Sequence, residues 1–242
     1  MATPESIARY LLKSVNRAVR EFEMLADGDR VAVGVSGGKD SRTLLELLVR
    51  GVDIPGHYDV VAIHVDGNDV GLPDQRPALE PWFRALGVPY TIARLALPEE
   101  EPLPLDCFRC AWNRRKALFL AAEQQGCNKI ALGHHADDAA VTTLLSILYK
   151  GRIEPLSPRR EYFDKQFLAI RPLIYVTERD IRRYARACGW EFPPELDCPQ
   201  GEQSSRVQVE RFLAGLPLRE RKQICTNLWR LSQKDGEAPG DC

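Results

Sequence analysis

Three groups of residues in this 242-residue chain have types and spacing suited to chemistry. The first is Ser36-Gly37-Gly38-Lys39-Asp40-Ser41. Adjacent glycines let a backbone approach an anion closely, the two serines offer hydroxyl donors, and Lys39 adds a full positive charge. Such a set suits a phosphate-binding turn if a strand leads into it and a helix leaves it, with N–H groups aimed at one point. The second group is Cys107-Phe108-Arg109-Cys110, with Cys198 in a later loop. Paired thiols at this spacing form a dithiol redox pair, half of a structural zinc site, or part of an iron–sulfur ligand set completed by another cysteine. The third is His134-His135-Ala136-Asp137-Asp138, which suits a magnesium ion and ATP phosphates better than zinc when it stands beside a phosphate turn.

The flanking sequence supplies the elements these groups need. Val31 to Val35 is a short run dense in β-branched residues, as expected of a strand buried on both faces. Leu44, Leu45, Leu47 and Leu48 follow the glycine turn at helical spacing. Tyr58–Asp66 reads as a second strand, which carries His64 and Asp66 to the carboxyl edge of a parallel sheet, where ligands bind. A helix over 77–86, strands over 88–94 and 129–133, and a helix over 112–125 continue the alternation. Further helices are expected over 139–149 and 177–188, with a fifth strand over 167–173 containing Arg171. Pro98 to Pro104 reads as a stiff acidic loop. The pattern predicts an α/β fold with a doubly wound, mostly parallel sheet of about five strands. An N-terminal helix in 1–28, the α/β domain in 29–200 and a helical extension with a frayed tail in 201–242 complete the expected organisation.

Composition narrows the setting. The formal net charge of −1 gives no global attraction to nucleic acid, so any RNA contact must rest on local patches. No run of about 18 apolar residues is present, and the start of the chain lacks a signal-peptide core; a cytoplasmic protein with no membrane partner is expected. Seven cysteines in such a chain are not a disulfide framework; Cys127 and Cys188, beside apolar helical patterns, read as buried packing residues.

The glycine turn resembles the PP-loop of the ATP pyrophosphatases, which cleave ATP to AMP and pyrophosphate. Together with Cys107-Phe108-Arg109-Cys110, Asn113-Arg114-Arg115, Leu132-Gly133-His134-His135-Ala136-Asp137-Asp138, Ile170-Arg171-Pro172-Leu173 and Cys198, it resembles the TtcA-type tRNA 2-thiocytidine synthetases, iron–sulfur members of that superfamily. The resemblance covers about residues 10–215. It implies that Ser36 to Ser41 bind pyrophosphate and that His64, Asp66, Gly133, His134, Asp137, Asp138 and Arg171 lie at the nucleotide. It implies a [4Fe–4S] cluster on Cys107, Cys110 and Cys198, with Lys39 and Asp40 taking part in catalysis. Also implied are ATP, Mg2+, a tRNA substrate, a sulfur donor (sulfide or a cysteine desulfurase) and a homodimer. One departure is visible: the family usually carries a second cysteine motif where this chain has Cys198-Pro199-Gln200-Gly201. Two other enzyme classes share the loop. One is a lysidine-type tRNA ligase, which needs no cluster; the other adds or removes sulfur on a small molecule or free nucleobase.

Overall fold

The computed structural model describes residues 3–97, 101, 105–192 and 204–234. Cys198, the loop around it, the tail 235–242 and the expected acidic loop other than Glu101 lie outside the described residues. The chain opens with helix α1 (Pro4–Glu21), then β1 (Asp29–Gly34), α2 (Lys39–Arg50), β2 (Tyr58–Asp66), α3 (Arg76–Leu86) and β3 (Tyr90–Arg94). The second half runs α4 (Cys107–Gln124), β4 (Lys129–Ala131), α5 (Ala136–Lys150), β5 (Arg159–Tyr162), β6 (Phe167–Ile170) and α6 (Glu178–Ala187). Two further helices, α7 (Ser205–Gly215) and α8 (Leu218–Lys234), occupy the span expected to be helical near the C-terminus.

The sheet has strand order β3-β2-β1-β4-β6-β5, parallel except for the β5–β6 pair. Six strands stand where about five were expected. The extra one is the edge strand Arg-Arg-Glu-Tyr, whose charged residues carry no apolar alternation for a sequence reading to find. Its turn is tight: Phe163, Asp164 and Lys165 all take positive φ.

Alternation along β1 divides the core. Val31 and Val33 join the apolar cluster beneath α1, α2, α3 and α6, while Ala32 faces Leu118, Phe119 and Ala122 of α4 on the other side. A third small cluster packs Val141 of α5 against Val209 and Leu213 of α7. α1 belongs to the main core through Ile7, Leu11, Val15 and Val19, which share one stripe. Strand order reverses between β1 and β4, so the crevice outside their carboxyl ends is the ligand position of such a sheet. Among the described residues, no helix is long and apolar enough to cross a membrane.

Candidate active site at the carboxyl edge of the sheet

The Ser36–Ser41 turn sits in that crevice, leading from β1 into α2. Gly37 takes φ +93°, and a Cβ there would meet Gln75 Oε1 at 2.6 Å. Gly38 caps α2 in an extended conformation with no side-chain cap, so the first turn keeps donors for a ligand. The serines fold the turn on itself: Ser36 N donates to Ser41 Oγ at 3.2 Å, and Ser41 Oγ donates to Gly38 O at 3.0 Å. Gly133, just beyond β4, is pressed against this turn. A Cβ on it would meet Ser41 N at 3.0 Å and the Asp40 carbonyl carbon at 3.1 Å.

One cavity, of about 570 Å³, opens over the turn and is lined by His64, Gln75, Arg114 and Arg182 as well as by Ser36 to Asp40. His64 is buried, and its Nδ1 lies 2.7 Å from Val35 O. A carbonyl can only accept, so Nδ1 carries the proton, and neutral Nε2 remains an acceptor. Burial pulls the His64 pKa below its ordinary value, and the bond to Val35 offsets part of that fall. Gln75 Oε1 is buried with no hydrogen-bond partner, an acceptor available to a ligand hydroxyl or amine. Asp66 stands just outside this lining, with Arg76 Nη1 at 3.4 Å and Asn68 N donating to it at 3.1 Å.

A second cavity, of about 460 Å³, lies on the far side of Lys39 and Asp40. His135, Asp137, Asp138, Glu178, Arg206 and Arg221 are among its walls, so α6, α7 and α8 all reach the loop. Lys39 Nζ lies between Asp40 Oδ2 at 3.1 Å and Glu178 Oε1 at 3.3 Å. Both carboxylates of the His-His-Ala-Asp-Asp run have protein partners. Asp137 Oδ2 accepts from Glu178 N at 2.8 Å, and Asp138 accepts from His135 N at 2.9 Å and from Arg206. Asp40 Oδ1, by contrast, is buried with no hydrogen-bond partner and lies 3.6 Å from His135 Nε2.

His134 and Arg171 line neither cavity. The His134 Nδ1 is sealed from solvent without a partner. Burial, with the Arg171 guanidinium beside it, pulls its pKa to about 4, so the ring is neutral at pH 7. Arg171 is buried, donates to Ser157 O, and has its pKa pulled to about 10 by burial, with Arg115 and Arg160 pushing the same way. Arg171 supports the β5–β6 corner from beneath the site.

Asp106 caps α4 by accepting from Arg109 N at 2.8 Å, and this starts the helix at the cysteine pair itself. Cys107 is exposed and Cys110 half-buried. Positions 107, 110 and 114 fall on one helical face, and Arg114 lines the cavity over the glycine turn. The thiol pair therefore stands one to two turns along the helix from the nucleotide-sized cavity. Among the described residues, no group of three or more His, Cys, Asp or Glu gathers in metal-binding geometry. Cys127 is buried, as expected, and Cys188 is half-buried at the end of α6. Sequence reasoning missed Glu178, Gln75, Arg182 and the reach of Arg206 and Arg221. Their local signal is only a capped helix start or an amphipathic face, and tertiary packing brings them to the loop.

A strand, a self-bonded Ser-Gly-Gly-Lys-Asp-Ser turn and an uncapped helix at a switch point agree with a model of the PP-loop domain that matches residues 9–195. The chain belongs to the PP-loop family. It is 38% identical over 219 residues to the tRNA-cytidine(32) 2-sulfurtransferase of Anaeromyxobacter sp. (strain K), an alignment covering 87% of this chain and 74% of that protein. The protein of the same name from Paracidovorax citrulli is 35% identical over 216 residues, covering 86% of this chain and 68% of its own. In fold, this PP-loop protein matches the U34-tRNA thiolase NcsA from Methanococcus maripaludis, whose structure holds a [4Fe–4S] cluster. The TM-score is 0.71 at 23% identity, covering 97% of this chain and 82% of that one.

Proposed function

We propose that this PP-loop protein is an ATP-dependent tRNA sulfurtransferase that replaces the C2 oxygen of a cytidine with sulfur. The observation that carries the reading is the shared face of Cys107, Cys110 and Arg114, which aligns a thiol pair with the cavity over the PP-loop. The curated relatives, sulfurtransferases by name, support the same reading.

ATP lies in the larger cavity with its pyrophosphate on the Ser36–Ser41 turn, where N–H groups and the α2 dipole face it. His64 Nε2 and Gln75 Oε1 accept hydrogen bonds from the nucleoside, and Gln75 gains the partner it lacks. The base carbonyl oxygen attacks the α-phosphorus, pyrophosphate departs, and the oxygen becomes part of an adenylate. Lys39 draws charge off the departing group; Asp40, with its orphaned buried Oδ1, suits the Mg2+ that would share this task. Sulfide, supplied as such or released by a thiol reductant from the persulfide of a cysteine desulfurase, then attacks the activated C2, and AMP leaves with the original oxygen. Asp137, Asp138 and Arg171 act behind these groups by fixing α6, the start of α5 and the β5–β6 corner around the loop, and His134 is a buried neutral ring beside Arg171.

The two described thiols fit a [4Fe–4S] cluster in type, spacing and exposure, and Cys198 is the third ligand in this proposal. Held by three cysteines, such a cluster would supply one iron open to sulfide. The boundaries at about residues 28 and 200 and the homodimer belong to the same proposal. AMP formation that requires both tRNA and sulfide would support the reading, and AMP formation indifferent to tRNA would contradict it.

A further inference from the structure

Helix α4 carries a feature that the ATP chemistry does not use. Phe108 is 76% exposed and Trp112 51% exposed, one turn apart on the same stripe and next to the cysteine pair. Large aromatics seldom stand side by side in water without a partner. The helix around them is one-signed: from 107 to 122 it carries Arg109, Arg114, Arg115 and Lys116 and no acid, in a chain of net charge −1. Arg109 is engaged by Glu101, but Arg115 and Lys116 are exposed. Lys116 Nζ lies 5.5 Å from the Trp112 ring centroid, and Arg160 across the β5–β6 corner is exposed as well.

We propose that Phe108 and Trp112 are a stacking platform for unpaired nucleotides of an RNA, with Arg115 and Lys116 on its phosphates. This rests on the tRNA reading and deepens it. Every base has a π-face, so exposed rings capture bases that have left the stack, while neighbouring cations hold the backbone. A duplex offers such rings no base face. A second copy of the chain docked by a two-fold axis running through this stripe would bring Arg115 and Lys116 against their own copies, a like-charge contact without compensation. The platform looks away from the face that Cys107, Cys110 and Arg114 share, so it holds an unpaired stretch of the RNA other than the nucleotide that enters the cavity.

The test uses the full-length protein and an unmodified tRNA transcript, with binding measured across a salt series. Phe108→Ala and Trp112→Ala should each weaken tRNA binding by about tenfold. The slope against salt should stay unchanged, because no phosphate contact is removed. Trp112→Phe should keep most of the affinity. Leu148→Ala, at an exposed apolar residue on α5, should bind as the wild type does, and ATP affinity should be the same in all of them. Wild-type tRNA affinity in both alanine variants would overturn the platform while leaving the tRNA reading intact. Weakened binding accompanied by dissociation of a dimer would overturn it in favour of an interface between copies. Failure of the wild type to retain tRNA at any salt would overturn the tRNA reading, and the platform with it.

Discussion

Lys39 Nζ lies 3.3 Å from Glu178 Oε1 as well as 3.1 Å from Asp40 Oδ2, so the loop lysine is held by two carboxylates from different elements. Glu178 is anchored in turn: Arg182 donates to it at 2.7 and 3.0 Å, and its own N–H donates to Asp137 Oδ2 at 2.8 Å. A pyrophosphate on the loop must compete with Glu178 for Lys39. Glu178→Gln removes the competing charge and should tighten product inhibition by pyrophosphate several-fold. Lys39→Ala removes the donor itself and should cut AMP formation by roughly 10²–10³. Steady-state kinetics with added pyrophosphate checks both, and an unchanged inhibition constant in Glu178→Gln would dismiss the competition.

Gly133 tests how closely β4 must approach the PP-loop. A Cβ would press on the backbone at Ser41 and Asp40, atoms that cannot move without carrying the phosphate donors with them. Gly133→Ala should raise the KM for ATP at least tenfold. Gly215→Ala, where a Cβ meets nothing within 4 Å at the end of α7, should leave it unchanged. Equal KM values in the two variants would show that the loop tolerates the shift.

His64 gives the site a pH signature. Its folded-state pKa lies below the unfolded value of about 6.5, so the unfolded chain takes up the proton first as pH falls. Its contribution to stability is complete above about pH 6.5 and erodes below it, ending once the folded-state pKa is passed. Denaturant titrations at several pH values should show the wild type losing stability faster than His64→Gln on acidification below that point. Parallel curves would mean that His64 is not held neutral.

The cysteines divide by role. Cys107→Ala, Cys110→Ala and Cys198→Ala should each abolish the visible absorption and iron content of anaerobically prepared protein while sparing ATP affinity. Cys127→Ala, at a buried packing position, should keep both and lose stability instead. Full iron and sulfide in Cys198→Ala would remove that residue from the ligand set.

Elements with strong local chemistry were legible in the chain. The strand Tyr58–Asp66 has the bounds its β-branched run predicts, and Thr177 caps α6 by accepting from Asp180 N. α4 begins five residues before its apolar pattern does, because its first turns project Phe108 and Trp112 into solvent and bury little. The edge strand Arg159–Tyr162 was missed for the same reason, as it has no apolar face to report. Within the site, the loop and the cysteine pair were visible as motifs. The pairing of Lys39 with Glu178 was not, since those residues are far apart in sequence and only the packing of α6 against α2 joins them.

The most direct measurement is the mass of the nucleosides from unmodified tRNA treated anaerobically with the iron-loaded protein, ATP, magnesium and sulfide. The account predicts a cytidine in which one oxygen has become sulfur, formed only when ATP is present and matched by AMP. Unchanged cytidine alongside ATP cleavage to AMP and pyrophosphate would contradict it, as would a thiolated base formed without ATP.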